Sequence, residues 1–260
     1  MSIQKFSLPA IQKVRQYIIN TLTLPDSEQK AKFAEATGEL PEPASLDELS
    51  NLFSMGGITR PGISAVADPQ EKWFISTVNP GAALLKLPGL WLKPDYRLVS
   101  YLYRRENSGV GLVWAVPETL SSTAQLEMAM ENCCGITQLP KPEGALLHLM
   151  EAVDGDRSPV SYLLASILRR ELQDFGNLGD RRYWGHHHLI DELPGGEWQW
   201  RTDKPQDWSP KVKLFPDGKV AVEFFTCCTS GSKVLYRHLD QYPEGQYRGN
   251  SMDKSLAIAA

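Results

Sequence analysis

Apolar residues recur along this chain with two periods, and each change of period marks a predicted element. Ile11, Val14 and Ile18 follow Ser7-Leu8-Pro9 at helical spacing. That predicts a helix from a serine cap, with proline in its first turn, to about Leu22. Asp26-Ser27-Glu28-Gln29 resembles a capping box, and the segment it opens runs out at Gly38. Glu39 to Ala44, with Pro41 and Pro43, reads as a linker, and Ser45-Leu46-Asp47-Glu48 starts another helix that Gly56-Gly57 ends. Residues 1–54 therefore read as a helical N-terminal segment.

From Ile58 to Pro117 the pattern belongs to strands. Lys72 to Val78 and Arg97 to Tyr103 are rich in β-branched and aromatic residues, and Asn107-Ser108-Gly109 separates Tyr103 from the apolar run Val110 to Val116. A hairpin is predicted there, its second strand covered on both faces. Ser122-Thr123-Ala124-Gln125 opens a helix toward Cys133 that Gly135 stops. Pro140-Lys141-Pro142-Glu143-Gly144 makes 138–145 the candidate subdomain boundary, with a short helix from Ala145 to Val153 after it.

The strongest periodicity follows Ser158-Pro159. Val160, Leu163, Leu164, Ile167, Leu168, Leu172 and Phe175 fit the i, i+3, i+4, i+7 template, and Gly176 supplies a stop. A long amphipathic helix burying one face is expected. Glu197 to Arg201 then alternates strictly, Pro216-Asp217-Gly218 joins Lys211–Phe215 to Lys219–Cys228 as a hairpin, and Lys233 to Leu239 adds a strand. In the second strand of that hairpin, Val220, Val222, Phe224, Thr226 and Cys228 share one face and Ala221, Glu223, Phe225 and Cys227 the other. The fold class expected is α+β: N-terminal helices, a strand-rich middle, the long amphipathic helix and an antiparallel C-terminal meander. Residues 55–245 form its core, and the small, polar residues of 246–260 read as a flexible tail.

Composition changes this picture little. Of 260 residues 42% are hydrophobic and 22% charged, which suits a folded chain. Lys and Arg number 27 against 31 Asp and Glu, a net charge of -4 that offers no bulk attraction to phosphate backbones, so no nucleic-acid partner is expected. The longest apolar run, Gly81 to Leu92, is broken by Lys86 and Pro88, and no membrane insertion is expected. The polar start lacks a secretory h-region, and the adjacent pairs Cys133-Cys134 and Cys227-Cys228 suit a reducing compartment, so a cytoplasmic location is expected.

Candidate chemistry concentrates in Arg181 to Asp191, where His186, His187 and His188 place three of the five histidines side by side. In an extended segment His186 and His188 project to one side, offering two imidazoles to a metal, with Asp191 as a third ligand or base. Asp180, Glu192, His148 and His238 are further donors without a preferred spacing. This supports one reading, a metal-dependent enzyme of hydrolase type. No G-x-S-x-G elbow, H-E-x-x-H helix, P-loop or G-x-G-x-x-G turn occurs, and no cofactor is assigned.

The leading reading is a protein-interaction or assembly factor. Four of the seven tryptophans, Trp184, Trp198, Trp200 and Trp208, fall within twenty-five residues. Together with Arg181, Arg182 and Tyr183 they bring the residue types enriched at interface hot spots close in sequence. The binding surface expected is Arg181, Arg182, Tyr183, Trp184, Trp198 and Trp200, facing a protein partner.

Overall fold

A computed structural model describes residues 1–29, 72–105, 108–133, 135–179 and 183–260. The helices and linker expected between residues 30 and 57, and the candidates Arg181 and Arg182, lie outside the described residues.

The chain opens with strand β1 (Ser2–Lys5), which alternation did not reveal, then α1 (Leu8–Leu22) and the single turn α2 (Asp26–Gln29). Strand β2 (Trp73–Ile75), a 3-10 turn at Pro80–Lys86, and β3 (Leu90–Leu92) lead into the hairpin β4 (Tyr96–Arg105) and β5 (Ser108–Pro117). Helix α3 (Thr123–Met128) begins where the Ser122 amide donates to Gln125 Oε1. The short helix expected from Ala145 is only a 3-10 turn at Leu149–Ala152, followed by β6 (Val153–Gly155). Next come α4 (Pro159–Gln173), β7 (His187–Ile190) and β8 (Trp198–Trp200). The C-terminal strands are β9 (Lys211–Leu214), β10 (Val220–Cys228), β11 (Val234–Tyr242) and β12 (Asn250–Ala259).

The antiparallel meander β9-β10-β11-β12 is the body of a seven-stranded sheet, extended by β1 beyond β9 and by β8 beyond β12. β9 pairs with Val220–Glu223 and β7 with Phe225–Cys228, so the two occupy successive parts of one edge of β10. Residues 246–260 correct the expectation of a loose tail. Of these, Asn250–Ala259 form β12, which pairs with β11 on one side and β8 on the other. Smaller sheets are β2-β4-β5 and β3-β6.

Helix α4 starts as its sequence requires, with Ser158 Oγ accepting from the Ser161 amide and Pro159 in the first turn. Its environment differs from the expectation. Eleven of its 15 residues are buried, because the main sheet (Val212, Val220, Val222, Phe224) and the β4–β5 hairpin (Leu98, Leu102, Ala115) belong to the same core cluster as its leucines, with α1 alongside. It runs through the core, with Gln173 its one exposed residue. Even Ser161, Ser166, Arg170 and Glu171 are buried, so each needs a partner inside the protein.

Both faces of β10 are buried. The inner face meets α4, and the outer face of β10 packs Phe225 and Cys227 against Trp208, Leu235 and Leu256. Cys227 and Cys228 thus sit on opposite faces, as alternation requires. No helix among the described residues is long and apolar enough to cross a membrane.

Candidate functional site

Strand β11 carries Tyr236, His238, Asp240 and Tyr242 at alternate positions, which directs all four toward one face. Thr226 of β10 lies opposite Tyr236, and Asp253 of β12 lies opposite His238. Thr226, His238 and Asp253, each from a different strand, therefore meet under α4 and the turn that precedes β7.

Their hydrogen bonds form a chain. His187 Nδ1 lies 2.8 Å from Thr226 Oγ1, Thr226 Oγ1 lies 2.8 Å from His238 Nε2, and His238 Nδ1 lies 2.7 Å from Asp253 Oδ1. The chemistry of the groups fixes its direction. A carboxylate only accepts, so His238 donates from Nδ1 and its neutral ring accepts at Nε2. Thr226 then donates its single proton to His238 and accepts from His187 Nδ1–H. His187 is left with a bare lone pair on Nε2, a buried atom without a hydrogen-bond partner among the described residues.

Both rings are fully buried. Burial, reinforced by the neighbouring His238, pushes His187 down from 6.5 to about 3. Burial likewise lowers His238, despite its hydrogen bond to Asp253. Both histidines are neutral at pH 7. The order Asp253, His238, Thr226 resembles that of a hydroxyl-nucleophile triad. Thr226 is nevertheless 0% exposed and its hydroxyl is also held by His187, so no substrate carbon reaches it.

The charges nearby are paired through α4. Arg170 forks onto Asp240 with bonds of 2.5 and 2.9 Å and gives a third bond of 2.8 Å to Asp253. Burial raises the Asp240 and Asp253 carboxyls, but bonding to Arg170, and to His238 in the case of Asp253, outweighs it and holds both below the usual range. On the other side of Trp184, Arg15 of α1 donates 2.6 Å to Glu171 Oε1, which also accepts the Trp184 indole N–H at 2.6 Å. Arg15 further bonds the carbonyls of His187 and Trp184. The Trp184 ring is approached by two guanidinium carbons, those of Arg15 at 4.8 Å and Arg170 at 5.5 Å.

The residues expected to form one binding surface are divided by this arrangement. Trp184 is 4% exposed and belongs to the core. Tyr183 is exposed, its ring 4.8 Å from that of His187. Trp198 and Trp200 lie on edge strand β8 and pack with Trp208 on the outer face of the sheet. The metal candidates are divided too. His186 ends a 3-10 turn, so alternation begins only at buried His187, while exposed His188 bonds Thr229 and Asp191 faces solvent. Among the described residues no group of three or more His, Cys, Asp or Glu could hold a metal ion. Sequence reasoning missed Arg15, Arg170, Glu171, Thr226, Asp240 and Asp253 as site residues. The readable signal was polar alternation in β11 facing a helix whose arginine and glutamate had no solvent.

Two openings among the described residues differ in character. One is a cavity of about 270 Å³ beside Glu171 and Asp174 at the C-terminal end of α4. The other is an apolar groove of about 450 Å³ between the Pro80–Lys86 turn and β3. Leu85 is 84% exposed and Trp91 is 46% exposed at its rim. Comparison of the chain with family models, with curated proteins and with solved structures finds no match.

Proposed function

We propose that this protein is a non-catalytic interaction factor that holds a protein partner by an apolar anchor seated in the groove beside Leu85 and Trp91. One observation carries the reading: two large apolar side chains stand in solvent around a groove whose walls are Leu84, Leu90, Leu92 and Leu98. Apolar surface of that kind at a concave site is where hot-spot residues concentrate. Lys86 and Arg97 are exposed nearby, which favours a partner with acidic residues flanking its anchor. This keeps the class of function expected from the sequence, in the cytoplasm, and moves the surface from Arg181–Trp200 to the Pro80–Lys86 turn.

The test is a photo-crosslinking residue in place of Leu85, used in native extract, followed by purification of the adduct's partner. Trp91→Ala is expected to weaken binding of that purified partner roughly thirtyfold, about 2 kcal/mol, without changing the unfolding temperature appreciably. Failure to form a discrete adduct, or equal affinity of wild type and Trp91→Ala, overturns the reading.

A further inference from the structure

Arg157, in the turn between β6 and α4, has a φ of 62°, and among the described residues no other residue except glycine takes a positive φ. Glycine adopts that backbone freely, whereas an arginine is strained in it. Tyr247 holds the turn in place. Its hydroxyl accepts from the Arg157 amide at 2.8 Å and lies 2.6 Å from Ser161 Oγ, while its ring stacks on Tyr162 at 4.8 Å. The result is a fixed direction for the Arg157 side chain. Its guanidinium lies over Gly245, with Cζ 3.5 Å from where a Cβ would stand, and among the described residues it has neither a hydrogen bond nor an ion pair. Backbone strain that is held by the surrounding structure and aims an unpaired cation is of the kind that clusters at ligand sites.

Arg157 lines a cavity of about 210 Å³ together with Lys93 and Arg248. Lys93 Nζ donates to a carbonyl, that of Glu151, at 2.8 Å, and Arg248 pairs with the Glu151 carboxylate. Asp154, the other carboxylate of the lining, accepts from the Gly155 amide at 2.8 Å. Three cations against two carboxylates leave the cavity positive by one charge. A second cavity, of about 290 Å³, abuts the first and shares Met150 and Arg248 with it as walls. Its character is apolar. Leu112, Trp114, Leu139 and Leu149 line it beside Leu147, which is 75% exposed, and no carboxylate does. Neither cavity shares a residue with the groove beside Leu85 and Trp91.

We infer that the two cavities form one binding site for a small amphipathic phosphate monoester, its phosphate between Lys93, Arg157 and Arg248 and its short alkyl tail on Trp114, Leu139 and Leu147. The cations come from three separate segments, after β3, before α4 and before β12. That arrangement suits a tetrahedral group, whose three terminal oxygens can each take a cation, better than a carboxylate with two. The abutting apolar walls give the tail surface to remove from water. Neither half alone accounts for both the unpaired Arg157 and the exposed leucine.

The experiment titrates the full-length protein with n-hexyl phosphate at constant ionic strength by calorimetry and follows the Trp114 indole N–H resonance, that group donating to the Pro140 carbonyl at 2.8 Å. Inorganic phosphate, n-hexanoate and hexan-1-ol serve as comparison probes. Saturable binding of n-hexyl phosphate that shifts Trp114 is expected, with each comparison probe weaker by about tenfold or more. Arg157→Gly separates binding from folding, because glycine relieves the strain at a φ of 62°. That variant should bind n-hexyl phosphate about tenfold more weakly without an appreciable fall in unfolding temperature. Leu147→Asn should weaken n-hexyl phosphate and leave inorganic phosphate as it was. No saturable binding, equal binding of any comparison probe, or undiminished binding of n-hexyl phosphate to either variant would each overturn the inference.

Discussion

Lowering the pH from 8 to 5 is expected to remove about 2 kcal/mol of stability through His187 alone. Folded His187 accepts a proton only near pH 3, whereas in the unfolded chain it does so near its ordinary 6.5. Between these values the unfolded state holds more protons, so stability declines as the pH falls. At pH 5 the unfolded side chain is almost fully protonated and the folded one almost fully neutral. The ratio of their binding polynomials is roughly thirty, which gives the figure above. His238 adds to the loss with the same sign, since burial lowers it too. Asp240 and Asp253 are held low by Arg170 and their other hydrogen-bond partners, so their share is lost mainly below about pH 4. Glu171 is raised and works in the opposite direction near its own titration.

His187→Gln isolates the effect. The glutamine keeps an N–H able to donate to Thr226 but does not titrate. Urea unfolding of both proteins at pH 8, 7, 6 and 5 gives two stability profiles. The variant should be weaker at pH 8, where it loses ring packing on Trp184, and its decline toward pH 5 should be shallower by about 2 kcal/mol. Superimposable slopes would refute the assignment of a neutral, proton-resistant His187.

Two further substitutions test how the core is held. Arg170→Leu leaves Asp240, which is 1% exposed, and Asp253 without their shared cation; a loss of about 3 to 5 kcal/mol is expected in urea. The double variant with Asp240→Leu should recover at least half of it, and an equal loss in both would show that the charge pair is not what matters. Gly111→Ala drives its Cβ into the Phe175 carbonyl and the Gly176 backbone, so about 2 kcal/mol or more should be lost. At Gly195, where nothing lies within 4 Å of an added Cβ, alanine should change stability by less than about 0.5 kcal/mol in the same urea series.

Elements whose neighbours in sequence are also their neighbours in space were readable. The serine and proline signals placed α1 and α4, and Pro216-Asp217-Gly218 placed the β9–β10 hairpin because Gly218 takes a φ of 76° in its turn. Strands β1 and β12 were not readable. β1 is exposed along its length and is ordered by pairing with β9, more than two hundred residues away in sequence. β12 begins with five exposed residues and is ordered by β11 and β8. β1 has no buried side of its own, and the apolar run of β12 is confined to Leu256–Ala259 at its end.

Placing His186 and His188 on one side assumed an extended segment through all three histidines. The 3-10 turn at Trp184–His186 breaks the alternation and leaves His187 inside while its neighbours point elsewhere. Around His187 gather Thr226 of β10 and Tyr236 and His238 of β11, with Asp253 of β12 behind His238, side chains that adjacent strands bring to one face. The period-2 run Tyr236, His238, Asp240, Tyr242 was visible as polar alternation, but polar alternation alone normally marks a solvated face. Only the burial of α4 reverses that meaning. Once a helix carrying Ser166, Arg170 and Glu171 has the sheet on one side and a hairpin on the other, the polar face of β11 must turn inward to pair with it. Ser166 meets Tyr242 at 2.7 Å and Arg170 meets Asp240. Such pairing accepts only this register of helix against strand, since a shift by one residue along β11 would present Arg237, Leu239 and Gln241 to α4 in place of His238 and Asp240. The buried charges therefore specify the fold more than they stabilise it.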